Sequence, residues 1–117
     1  MSIQKIMNLM LVEKFPELKD KYEEEISWQE GNETGSHVVY GDIFVPFIKE
    51  KIEEKNAIKL EIICEFIEEL IKMKNDYVEE VVKFSIIEGI LDDYKTFGYL
   101  EKFVKEDTQN IINIIKN

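Results

Sequence analysis

Between Ala57 and Met73 the chain reads AIKLEIICEFIEELIKM, with apolar residues at spacings of three and four and no strand-like alternation. At about 100° per residue, Ile62, Ile63, Phe66, Ile67, Leu70, Ile71 and Met73 cover an arc of roughly 200°. A stripe that wide cannot be buried from one side. The segment, with Asn56 as its N-cap, is therefore expected at the centre of a fold with other helices around it. The same spacing runs through most of the 117 residues, and Val38 to Tyr40 is the one short alternation. The expectation is an all-α fold: a compact single-domain helical bundle of about six to seven helices spanning residues 1–117.

Local signals divide the chain. Ser2 is placed to cap a first helix over about Ile3–Lys14, and Pro16 opens a second with Leu18, Tyr22 and Ile26 on one face. Residues 28–41, WQEGNETGSHVVYG, form a long polar break that holds three of the five glycines, the one Trp and the one His. Breaks of this length inside compact domains are usually functional or disordered. Asp42 is the expected cap of the third helix, with Pro46 at its fourth position. Asp76 and Glu79 form the pattern of a capping box for the fifth. Ser85 and Gly89, one turn apart, would let a neighbouring helix come close. Asp92, Asp93 and Gly98 bracket a break, a sixth helix is expected over about Tyr99–Lys105, and Asp107 is the expected cap of the last. Asp42 and Asp76 lie 34 positions apart and each opens a helical hairpin, so HEAT-like stacked hairpins stand as the alternative to an irregular bundle. The predicted core contains Ile62, Phe66, Ile67, Leu70, Val81, Val82 and Ile86.

Charge narrows the functions. The chain has 25 Asp and Glu against 15 basic residues, all Lys, for a net charge of −10. Nucleic-acid binding needs phosphate neutralisation and usually Arg, so that class of partner is not expected. A membrane is not expected either, because no apolar run reaches the 18 or so residues of a span. A lone cysteine, Cys64, cannot form an internal disulfide and fits a reducing, cytoplasmic setting. One His and one Cys do not make a zinc site, and no phosphate-binding glycine motif or calcium loop is present, so no metal and no cofactor are expected. His37 is the sole histidine and has Ser36 as its sequence neighbour. Neighbours on a loop seldom face each other, so His37 is read as an exposed or partner-contacting loop residue and the protein as a non-enzyme.

Two sets of carboxylates remain. Glu88 shares a helical face with Phe84, Val81 and Tyr77, which predicts a buried carboxylate satisfied by a donor, a structural role like that of Asp42 and Asp76. Glu61, Glu65, Glu68 and Glu69 line the narrow polar face of the central helix, where they repel one another. That face is either simply solvated or kept for a basic partner that relieves the repulsion.

Phe15-Pro16-Glu17 before an acidic helix, then Val39-Tyr40-Gly41-Asp42-Ile43-Phe44, then Phe84-Ser85-Ile86-Ile87-Glu88-Gly89-Ile90-Leu91, resemble a family of small acidic bacterial proteins of unassigned activity. The resemblance covers residues 15–91. Some members of that family lie near polymorphic toxin genes, which implies an immunity role for those members and a place for Gly41-Asp42 and Glu88 in the shared framework. Two functions follow as expectations. The first is a module that binds a basic protein, a toxin domain being one candidate, through Trp28, His37 and Tyr40 together with Glu61, Glu65 and Glu69. The second is a structural or regulatory domain that forms homo-oligomers through the aromatics Trp28 and Tyr40.

Overall fold

A computed structural model describes residues 1–92 and 94–116. Helix α1 (Ile3–Lys14) starts on the Ser2 hydroxyl, which accepts from Lys5 N–H, and stops at Phe15, where Pro16 begins a 3₁₀ turn (Pro16–Leu18). Helix α2 (Lys19–Ser27) follows, and a second 3₁₀ turn (Gly31–Glu33) leads to α3. Helix α3 (36–53) is continuous but changes pitch: Ser36–Val39 is α-helical, Tyr40–Phe44 is a π turn and Val45–Glu53 is α-helical again. The central helix α4 (Ala57–Lys72) starts on the Asn56 side chain, which accepts from Lys59 N–H. Helix α5 (76–91) repeats the design of α3, with Asp76–Val81, a π turn at Val82–Ile87, and Glu88–Leu91. Helix α6 (Tyr94–Leu100) ends in a 3₁₀ turn (Glu101–Phe103), and α7 (Glu106–Lys116) packs back against α4. Among the described residues this is an all-α bundle of seven helices. Its radius of gyration, 13.4 Å, matches the roughly 13 Å of a single packed domain of this length.

An aromatic cluster forms the middle. Phe66 on α4 meets Phe15 and Phe44 edge-on at 5.5 and 5.7 Å and stacks against Tyr40 at 6.5 Å, while Phe15 also touches Phe47 at 5.4 Å. The end of α1, the π turn of α3 and the centre of α4 are thereby joined. Phe66, Ile67, Leu70, Val81, Val82 and Ile86 are buried as expected, whereas Ile62 is only partly covered. Close approach at Gly89 is also confirmed: a Cβ there would lie 3.3 Å from both γ carbons of Val45 on α3.

Several local expectations are corrected. Asp42 caps nothing: it lies exposed in the π turn of α3, which begins earlier, at Ser36. The early start is set by tertiary bonds, since the Ser36 N–H donates to the Tyr77 hydroxyl at 2.9 Å and the Ser36 hydroxyl to Asn8 Oδ1 at 2.8 Å. The cap of α5 is Asn75, which accepts from Val78 N–H, and Asp76 is the first helical residue. Gly98 lies inside α6 rather than in a break, and Asp93 falls outside the described residues. Asp107 likewise sits within the first turn of α7 and donates its own N–H to Glu68. Without caps at Asp42 and Asp76 the hairpin repeat loses its basis, and the second helices of the two hairpins differ in length, 16 residues in α4 against 7 in α6.

Candidate functional site

The outer face of α4 brings Glu61, Glu65 and Glu69 together as expected from their spacing. Glu61 is paired with Lys105. Glu69 lies 3.8 Å from Lys14, and both side chains are well exposed, so water screens that pair. Glu65 is exposed and makes no ion pair among the described residues. Glu65, Glu68, Glu69 and Lys72 of α4, with Lys105 and Glu106 at the start of α7, line an open groove of about 460 Å³. Four carboxylates face two ammonium groups there, so the groove is net negative. Glu69 also borders a neighbouring hollow of about 290 Å³ lined by Met10, Glu13, Lys14 and Phe66.

Glu68 departs from the polar-face reading, because it is turned inward and only 8% exposed. Its carboxylate accepts from the N–H groups of Asp107 and Thr108, at 3.0 and 3.1 Å, and from the Thr108 hydroxyl at 2.9 Å. Burial pushes this carboxyl up, and the bonds from Asp107 and Thr108 outweigh burial, leaving it below the usual carboxylate range. One residue of the acidic row is thus spent on capping α7.

The long break is tied down. Asn8, an oddity within an apolar run of α1, donates to the carbonyls of Asn32 and Thr34 at 3.1 and 2.7 Å, and Tyr22 donates to Asn32 Oδ1 at 2.7 Å. Tyr40 is fully buried, and its hydroxyl donates to the Met7 carbonyl at 2.6 Å, so it cannot meet a partner as expected. Its apolar neighbours Phe44 and Phe66 explain why an aromatic at that position goes inward. The remaining loop candidates are exposed but lie in different settings. Trp28, 76% exposed, borders a shallow hollow with Lys21, Glu24, Glu25, Asp42 and Ile43. His37 bonds Ser85 Oγ through Nδ1 at 2.8 Å and meets the Tyr77 ring edge-on at 5.7 Å. Among the described residues, neither Trp28 nor His37 lines the α4 groove.

Glu88 is exposed, contrary to the buried position expected for it. It does share a face with Phe84, but Phe84 is itself 56% exposed, and the underwound π turn between Val82 and Ile87 directs that face to solvent. Sequence reasoning missed Asn8, Thr34, Ser36, Glu68 and Thr108 as buried polar groups. Asn8 alone carried a signal, as a polar residue in an apolar helix.

Among the described residues no group of three or more His, Cys, Asp or Glu side chains is placed to hold a metal ion, and no helix is long and apolar enough to cross a membrane. A family model described as a domain of unknown function, DUF7674, matches residues 8–116. Neither the curated proteins nor the solved structures give a significant match.

Proposed function

The chain belongs to the DUF7674 family of domains of unknown function, and from that premise we propose that it is a non-enzymatic binding module for a basic protein. The observation that carries this reading is the net-negative groove between α4 and α7, where Glu65 lacks an internal counter-ion among the described residues and Glu69 has only an exposed one. Carboxylates left this way in a chain of net charge −10 raise the local concentration of a cationic surface and favour it over an acidic one. Trp28 adds a bulky anchor of the kind that carries binding energy, again among the acidic residues Glu24, Glu25 and Asp42. The resemblance to bacterial proteins encoded near toxin genes makes a toxin domain the first partner to try, with neutralisation inside the cytoplasm as the outcome.

Tagged wild-type protein and a Glu65→Gln/Glu69→Gln variant, used side by side as bait in extract of the source organism, test this reading. A basic protein held by the wild type, lost on raising the salt and depleted with the variant is the expected result. Identical proteins on both baits would sink it. For the toxin reading, co-expression with the partner should relieve growth arrest. The homo-oligomer reading now rests on Trp28, since Tyr40 is buried. Sedimentation of the wild type and of Trp28→Ala distinguishes it, because a dimer lost on that substitution would favour self-association.

A further inference from the structure

Glu61, Cys64 and Glu68 lie three and four positions apart, on one stripe of α4. Both ends of that stripe are tied to the same short segment. Glu61 pairs with Lys105, and Glu68 accepts three hydrogen bonds from Asp107 and Thr108. Cys64 lies between these ties and is 2% exposed. Burial, the largest influence on its thiol, raises its pKa to about 12, and Lys105 is among the charges acting on it. Cys64 therefore lies on the stripe of α4 whose two ends are tied to residues 105–108. The rest of α7 is held by a short apolar row: Ile111 and Ile112 are buried, Ile115 is partly buried and Lys116 lies 5.0 Å from the Phe97 ring and 3.9 Å from Glu101, while Ile114 is 68% exposed. An isolated helix of 11 residues is marginal in water, so α7 depends on its docking. By contrast, α4 buries Leu60, Ile63, Phe66, Ile67, Leu70 and Ile71. Elements with few buried apolar contacts open at lower free energy than the core.

We propose that α7 is a strap that undocks from α4 while the rest of the bundle stays folded, and that Glu68 is the clasp that sets how often it does so. Undocking uncovers Cys64 and removes the Lys105–Glu106 wall of the acidic groove. The second consequence rests on the binding role proposed above; the uncovering of Cys64 does not.

Two measurements on the full chain at neutral pH test the strap. One is the rate at which dithiodipyridine labels Cys64 without denaturant. The other is amide hydrogen exchange read separately over residues 106–116 and 57–72. The strap requires residues 106–116 to exchange faster than 57–72 and the thiol to label at the rate of the faster segment. Glu68→Gln keeps the shape of the side chain but removes the charge that strengthens three hydrogen bonds. It should raise labelling and exchange over 106–116 about tenfold; exchange of 57–72 through global unfolding rises by no more than that factor, so the two segments stay separated. Thr108→Val, which deletes a single bond, should act in the same direction but less, and it carries the test if the Gln variant does not fold. Wild-type labelling no faster than exchange of 57–72 would overturn the strap, as would substitutions that leave labelling and exchange over 106–116 unchanged. Because no binding partner enters these measurements, their outcome is independent of the groove's proposed role.

Discussion

Ser36 at the start of α3 and Asp107 in the first turn of α7 have N–H groups satisfied from far along the chain, by Tyr77 and Glu68 at separations of 41 and 39 positions. Ser2 and Asn56 cap their helices from three positions away, and both were legible in the sequence. Tyr77 and Glu68 were not, because local spacing carries no record of a cap supplied by another helix. The bonds to Glu68 have a pH signature. Its folded pKa lies below the unfolded value of about 4.5, so its contribution is complete above that value and is lost as pH falls through the folded one. Facing it are Glu65, Glu69, Glu106, Lys72 and Lys105. Chemical denaturation from pH 7 to pH 3 should give a constant stability gap between wild type and Glu68→Gln above about pH 5 that narrows below it; a gap independent of pH would refute the assignment. Two further residues separate burial from sequence expectation. Tyr40→Phe should cost about 1 kcal/mol by removing the donor to the Met7 carbonyl, whereas Glu88→Ala should leave the melting temperature almost unchanged.

At the scale of the element, α3 and α5 carry the same departure from regular helix. Ser36, Tyr40, Phe44, Ile48 and Ile52 are buried at steps of four, and so are Val78, Val82, Ile86 and Ile90. In a regular α-helix each step of four drifts by about 40°, so four steps would turn the row well off the core. The π turns, closed by Val45 N–H to the Tyr40 carbonyl and by Glu88 N–H to the Lys83 carbonyl, unwind each helix and keep its row facing inward. In α3 the turn also contains Asp42, whose carbonyl the ring of Pro46 would otherwise meet in a regular helix. The repeated step of four was visible in the sequence. A wheel fixed at 100° could not use it, and Glu88 was misplaced for that reason. The two π turns pack on each other, and just beyond them Val45 rests on Gly89. Val45 is β-branched, and with both of its γ carbons 3.3 Å from the added atom it has no easy rotation away. Gly89→Ala should therefore destabilise by about 1–2 kcal/mol despite alanine's better helix propensity. In a Val45→Ala background the same change should be neutral or stabilising. Additive effects in this double-mutant cycle would show that the contact does not matter.

For the whole molecule, fold class followed from the width of the stripe on α4, because burial on two sides demands surrounding helices. Contact with the three rings of Phe15, Tyr40 and Phe44 makes buried Phe66 the keystone of that arrangement, and Phe66→Ala should lower stability by about 3–5 kcal/mol in thermal or denaturant unfolding. The candidate site was legible only as charge. The row Glu61, Glu65, Glu69 could be placed on one face, but its partial neutralisation by Lys105 and Lys14 depends on helices that meet only in the folded chain. Trp28 and His37 were correctly placed at the surface, and Tyr40 was not, since the polar composition around it concealed a helix that turns it inward.

Binding of a basic protein through an acidic face makes a claim about rates. Long-range attraction acts on encounter and is screened beyond about 10 Å at 0.1 M salt, while short-range packing acts on dissociation. The most direct measurement is the association and dissociation kinetics of the purified chain with the basic protein it captures, across a salt series. Wild type, Glu65→Gln/Glu69→Gln and Trp28→Ala should be compared. Glu61 is left intact because its loss would free Lys105. Expected are an association rate that falls steeply with salt, a lower rate with a shallower salt dependence for the double Gln variant, and faster dissociation with little change in association for Trp28→Ala. Association indifferent to salt and to the loss of both carboxylates would contradict that claim.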